Sequence, residues 1–251
     1  MSKTLLAVSA DGYISYWNAV TTKCITSARD VNQTDLFCVD FKKDGSQFAV
    51  GGRDYEVKIY DINVMSPVLS LKSTNGVDMG HSNRVLSVHF TEDPNLLLSG
   101  GLDNTVFFWD LRQARATGFI FGPHICGDSI ATNGNTMLTG SYHNTEVLQT
   151  WNIPERKLIE TVQWEPGSEE KYEHGYVYSV GYDKMSDSKK YIAAGGAGEN
   201  ELRVFKNTKD HELVEKLKFK RAVTSVDFAE EKKMLAVACG DGFTRVYSYE
   251  D

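Results

Sequence analysis

The groups in this 251-residue chain that could do chemistry are few and scattered. Six histidines stand apart, at His81, His89, His124, His143, His174 and His211, and four cysteines at Cys24, Cys38, Cys126 and Cys239. Metal binding needs such ligands at short fixed intervals, as in CxxC or HExxH, and neither interval occurs. Scattered thiols with no pairing pattern read as reduced packing residues, so neither metal nor disulfide is expected. Chemistry on a β-scaffold would need carboxylates or imidazoles that converge. Asp40, His89 and Asp227 come nearest, but they alternate with apolar neighbours, and equivalent positions elsewhere are Thr or Gly. No GxSxG turn, phosphate loop or GxGxxG follows a strand. The chain reads as a non-enzyme: no catalytic residue, no cofactor, and histidines that are structural.

The elements that would position any site emerge from an internal repeat. LFCVDF, RVLSVHF, GDSIAT, VYSVGY and VTSVDF each read as a strand with a small residue at its centre: Cys38, Ser87, Ser129, Ser179 and Ser225. Each is followed by a second apolar strand, a polar turn, and a third strand that closes on an aromatic: Tyr60, Trp109, Trp151, Phe205 and Tyr247. Four of the five intervals from small residue to aromatic are 22 residues, and the fifth is 26, lengthened by KMSDSKK. Alternation within the first strands groups Phe37, Val39 and Phe41, Leu86, Val88 and Phe90, and Thr224, Val226 and Phe228 on one face. HELVEKLKFKRA has Leu213 and Leu217 at helical spacing, yet its place in the repeat makes it a fourth strand. Four short strands per unit at this period predict an all-β chain, a single β-propeller of about six blades. The blades are expected at about 4–30, 35–72, 84–122, 126–164, 176–219 and 222–251, all in one domain, 1–251.

The third unit carries a family resemblance. Gly80-His81 at its start, LLLSGGLDN, and TVFFWD ending in Trp109-Asp110 resemble the WD-repeat (WD40) family. Other units are degenerate, with YD, WN, FK and YS in place of WD. The resemblance implies a buried hydrogen-bond tetrad of His81, Ser99, Asp103 and Trp109, structural in role. The fourth unit offers Thr139, His143 or Asn144, and Trp151 as a partial match. The resemblance also implies a non-catalytic scaffold or adaptor that binds other proteins or peptides, intracellular, cytoplasmic or nuclear.

The two ends of the chain repeat one phrase: LLAVSADGYISYW and LAVACGDGFTRVY. Counting from Trp17 and Tyr247, the first and last blades have three strands each, giving 22 in all. Family members usually fill such a seam with an N-terminal segment. Three explanations stand side by side: an upstream segment missing from the sequence, a partner that donates strands by β-augmentation, or imperfect closure with thin end blades.

A net charge of −7 argues against nucleic acid as partner, because that binding draws on neutralised phosphates. No apolar stretch approaches the length of a membrane span. Partner binding is expected on face loops: Arg53, Leu102 and Tyr142 just after the second strands, and Arg84, Tyr176 and Arg221 at first-strand entrances. The longest insertions, Ser70 to Arg84 and Gln163 to Gly175, lie before first strands. Trp109-Asp110-Leu111-Arg112 resembles the motif by which some WD-repeat proteins serve as substrate receptors of cullin-type ubiquitin ligases; an Arg that pairs with Asp110 is the plainer role. Lys216, Lys218 and Lys220 read as charges guarding an outer edge strand against aggregation. A coat or cytoskeletal subunit whose partner completes the open propeller is the other structural reading.

Overall fold

A computed structural model describes residues 3–74, 78–164, 175–185 and 189–249. Most of the Gln163–Gly175 insertion, with His174, lies outside the described residues, as do the centres of the Ser70–Arg84 loop and of KMSDSKK. Every described regular element is a β-strand, and the strands form six antiparallel sheets, the blades of a six-bladed β-propeller.

The first sheet contains β1 (Thr4–Val8), β2 (Tyr13–Asn18) and β3 (Lys23–Arg29). The second runs β4 (Leu36–Phe41), β5 (Gln47–Gly52), β6 (Val57–Asp61) and β7 (Ser66–Leu71). The third runs β8 (Val85–Phe90), β9 (Leu96–Gly101), β10 (Thr105–Asp110) and β11 (Arg115–Phe121). In the fourth are β12 (Ile130–Asn133), β13 (Thr136–Gly140), β14 (Leu148–Asn152) and β15 (Lys157–Thr161). The fifth has β16 (Gly175–Tyr182), β17 (Tyr191–Gly198), β18 (Glu201–Lys206) and β19 (Leu213–Lys218). The last is three-stranded like the first: β20 (Val223–Phe228), β21 (Met234–Cys239) and β22 (Thr244–Ser248). The segment with leucines at helical spacing is thus strand β19, where the repeat placed it.

The chain divides into two compact units, Met1–Phe119 and Ile120–Asp251. In the first unit, Leu6 and Ile14 of the first sheet pack against Phe48, Val50 and Tyr60 of the second. Ala49, Val57 and Ile59 of the second sheet in turn pack against Val88, Leu97 and Trp109 of the third. The second unit repeats this arrangement. Leu138 and Leu148 meet Val177, Val180 and Ile192, and Ala193 and Leu202 meet Val226, Leu235 and Val237. At each of these joints one sheet offers its forward face to the rear face of the next.

Glycine makes the joints close. A Cβ on Gly51 would lie 2.6 Å from Cγ1 of Val85 in the next first strand, and Gly195 stands in the same relation to Val223. A valine at the start of one sheet therefore seats in a hollow left by glycine in the sheet before it.

Simple alternation fails in the first strands, because a bulge interrupts β4, β8, β16 and β20 at the same repeat position. The extra residue is Phe37, Leu86, Tyr178 and Thr224 in turn. It resets the faces, so Val85 and Val223 are buried where alternation alone chose Leu86 and Thr224. The small residue after the bulge then reaches the next sheet: Ser179 Oγ accepts the Val226 N–H at 3.0 Å.

Candidate functional site

Two kinds of site grow out of this repeat, one inside the sheets and one at their loop ends. The inner one is complete in the third sheet. Trp109 Nε1 donates to Ser99 Oγ at 2.7 Å, and Ser99 Oγ lies 2.7 Å from His81 Nε2. His81 Nδ1 lies 2.8 Å from Asp103 Oδ2, which also accepts the Ser82 N–H at 2.9 Å. The Asp103 carboxylate only accepts, so the proton between the two sits on His81 Nδ1, and the Ser99 hydroxyl bridges the indole and the imidazole. The relay spans the loop before β8, β9, the turn before β10, and β10, so it ties four pieces of backbone in one buried place. Burial, the largest effect on the Asp103 carboxyl, pushes its pKa up. Hydrogen bonding and charge from His81, with the N–H groups of Ser82 and Thr105, outweigh it and hold the pKa below the ordinary value.

The other sheets fill the same slot with different chemistry. In the second, Tyr60 takes the Trp109 position and donates to Asp30 Oδ1 at 2.6 Å. Lys58, almost wholly buried, donates to Asp30 at 3.2 Å and to Asp54 at 2.5 Å. Burial first, and the bond to Asp30 second, push the Tyr60 phenol well up from its usual pKa. In the fifth sheet Arg203 stands where Lys58 stood. It pairs with Glu201 at 2.6 Å, donates to the Trp164 carbonyl, and lies 4.6 Å from the Trp164 ring centroid. In the fourth, Trp151 Nε1 donates to Thr139 at 2.9 Å, and Asn144 is engaged elsewhere, accepting the Tyr176 hydroxyl. These buried cations were not anticipated. The signal was present: Lys58 and Arg203 each stand inside an apolar third strand, with acids two and four residues upstream, Glu56 and Asp54 or Glu201 and Glu199.

At the loop ends, one backbone bond recurs where the second strand runs out beside the first-strand entrance. Arg53 N–H donates to Asp35 C=O, Leu102 to Arg84, Tyr142 to His124, and Gly240 to Ala222. This junction positions the residues named from sequence. In the first unit Arg84 lies beside Leu102; Arg84 is exposed and Leu102 half-buried. The Arg53 guanidinium lies 3.5 Å from Asp35, a solvent-exposed pair. In the second unit Arg221 is exposed beside Gly240.

Only Tyr142 and Tyr176, among the six, meet through their rings. They stack with centroids 4.2 Å apart and planes 21° from parallel, fixed below by a backbone bridge between the two residues. The Tyr176 hydroxyl donates to Asn144 Oδ1 at 2.9 Å. Tyr178, not foreseen from sequence, lies 5.6 Å from Tyr142, and His124 lies 6.4 Å from the same ring. Tyr142 is exposed; Tyr176 and Tyr178 are half-buried. Tyr178 is turned inward by the β16 bulge, which alternation did not reveal, and burial chiefly pushes its pKa up to about 12. Burial likewise pushes the nearby Cys126 thiol up to about 11, so at neutral pH it is no nucleophile. What results is a rigid aromatic ledge with hydroxyl, amide and imidazole edges, suited to contact with a side chain rather than to bond chemistry.

Among the described residues no three or more His, Cys, Asp or Glu side chains gather as a metal site. Asp40 accepts the Phe90 N–H at 2.8 Å, and Asp227 pairs with Lys184 at 2.6 Å. Asp110 is a turn residue: it accepts from the Arg112 guanidinium at 3.1 Å and from two following backbone N–H groups. The Arg112 bond is the main cause that lowers the Asp110 pKa to about 2. Lys216 and Lys218 are paired with Glu201 and Glu199, while Lys220 lies past the end of β19.

Residues 23–61 and 71–110 match the family model described as WD domain, G-beta repeat. The chain is 22% identical over 242 residues to the APC/C activator protein CDC20 of Saccharomyces cerevisiae, covering 81% of this chain and 39% of that protein. It is 26% identical over 156 residues to the anaphase-promoting complex subunit cdh1 of Dictyostelium discoideum, covering 60% of this chain and 19% of the other. The chain thus spans well under half the length of either relative. Its fold matches the crystal structure of the computationally designed protein Ika8 with a TM-score of 0.71 at 17% identity, over 99% of this chain and 69% of that one.

Proposed function

We propose that this chain, which belongs to the WD-repeat β-propeller family, is a non-catalytic interaction scaffold or adaptor within a larger protein assembly. The Tyr142–Tyr176 ledge carries this reading. Large aromatic rings held half-exposed on a rigid frame make effective binding anchors, since little side-chain entropy is lost when a partner covers them. The bridge beneath the two rings and the Asn144 bond preorganise them further. Relatives named as an activator and a subunit of the anaphase-promoting complex favour a protein partner over a small molecule. Arg84, Leu102, Arg53 and Arg221 extend the proposal to the loop ends of the other sheets. The Asp110–Arg112 bond supports a turn-forming role for that arginine rather than ligase docking. The acidic net charge favours partners other than nucleic acid, and the described residues contain no helix long and apolar enough to cross a membrane.

The test uses the purified chain and a Tyr142→Ser, Tyr176→Ser double variant as baits from the native cell extract, with mass-spectrometric quantification. Recovery of specific partners is expected to fall about tenfold or more while the melting temperature stays near that of the parent. Equal recovery by both baits would exclude the ledge as the contact.

A further inference from the structure

The sixth sheet fills the slot of the His81 relay in a way that leaves an aromatic ring outside. Phe219 stands four residues before Val223, as His81 stands four before Val85, and Asp241 and Arg245 take the places of Asp54 and Lys58. Arg245 donates to both Asp241 carboxylate oxygens, at 3.3 and 2.7 Å. Its guanidinium carbon lies 5.4 Å from the centroid of the Phe219 ring and 5.4 Å from that of Phe243. Phe243 is 65% exposed, although its repeat equivalents Thr105, Val147 and Glu201 are buried and Glu56 is half-buried. Lys220 and Arg221 follow Phe219, both exposed, with Arg221 beside Gly240 at the start of the same turn. Neither has an acidic partner among the described residues, whereas Lys216 and Lys218 are paired. The acid of this cluster, Asp241, is taken up by Arg245, whose bond holds the carboxyl below its usual range. All of these residues belong to the second compact unit.

We propose that this loop end docks an acidic peptide segment, at a site separate from the tyrosine ledge. Phe243 meets an apolar side chain of the segment, and Lys220 and Arg221 meet its carboxylates. The proposal rests on the reading of the chain as an interaction scaffold. Charge selects the occupant: in a chain of net charge −7, two unpaired cations beside an exposed phenyl ring attract an anionic segment and repel a basic one. The Arg221 guanidinium suits a carboxylate, which it can hold through two parallel hydrogen bonds. The Phe243 ring, held against a guanidinium that Asp241 and Phe219 fix in turn, offers apolar area at little cost in side-chain entropy. A bare polyanion would leave that ring uncovered, which favours a peptide over nucleic acid.

An array of immobilised short peptides, varied in sequence and graded in Asp and Glu content, is probed with the purified full chain. Retention is expected to rise with acidic content, to be strongest where an acidic peptide also carries Phe, Leu or Ile, and to weaken with added salt. Phe243→Ser, and Lys220→Gln with Arg221→Gln, are each expected to lower that retention about tenfold at an unchanged melting temperature, since the altered side chains are exposed. The Tyr142→Ser, Tyr176→Ser variant is expected to retain acidic peptides like the parent. Retention indifferent to acidic content overturns the proposal; if the tyrosine variant still loses partners from cell extract, the scaffold reading stands without this site. Loss of acidic peptides by the tyrosine variant, but not by the Phe243 and Lys220–Arg221 variants, moves the contact to the ledge and overturns it too. Single-stranded oligonucleotide retained as well as the acidic peptides, with no effect of Phe243→Ser on either, would make this a polyanion site and overturn the choice of occupant.

Discussion

Lys58 shows what a single buried charge asks of its surroundings. Its ammonium is satisfied by Asp30 and Asp54, and Asp30 also takes the Tyr60 hydroxyl, so the group is stable only as a set. Removing one member strands the others out of water. Lys58→Ala is expected to lower stability by about 3–5 kcal/mol, whereas Lys58→Met with Asp30→Asn recovers much of the loss. Urea unfolding midpoints check both, and equal midpoints for the parent and Lys58→Ala would contradict the assignment. Asp103 gives a pH signature. Its folded pKa lies below the ordinary 3.8, so its charge stabilises the fold above that value, and the contribution is lost as pH falls through the folded value. The stability gap between the parent and Asp103→Asn is therefore expected to be full at neutral pH and to shrink on acidification. A gap that widens in acid would reverse the sign.

At the scale of the element, the recurring unit is a glycine in the second strand facing a valine in the next first strand. Gly51→Ala would press a methyl into Val85 and Cys38, both fixed by the same joint. Overpacking of this kind is expected to cost about 1–3 kcal/mol, and Gly51→Ala with Val85→Ala to regain part of it. Thermal melts of the three variants decide; a Gly51→Ala melt equal to the parent's would mean the joint is loose. The strands themselves were legible because apolar runs, small centres and closing aromatics fall at fixed intervals. The bulges were not: an extra residue leaves no mark in a two-residue alternation, so Leu86 and Thr224 seemed to belong on the buried face. The Tyr178 ring beside the candidate ledge went unseen for the same reason.

For the whole molecule, the site and the joints draw on the same repetition. Every junction places a second-strand exit against a first-strand entrance, and local side chains decide whether it carries an aromatic ledge, as at Tyr142 and Tyr176, or only Gly240 beside Ala222. Half of the candidate ledge was therefore readable: Tyr142 and Tyr176 follow from their places in the repeat. Their stacking does not, since the two residues are 34 apart in sequence and meet only through sheet pairing across neighbouring blades.

The sequence by itself determined the repeated strands and the three-stranded end sheets, because spacing and residue type are local properties of the chain; the residues of the His81–Trp109 relay came from the family resemblance of the third unit. Tertiary structure alone decided which cations are buried, where the bulges turn the first strands and which tyrosines touch. Those outcomes depend on what the neighbouring sheet removes from water, and burial is a property of surroundings that one strand's sequence does not carry.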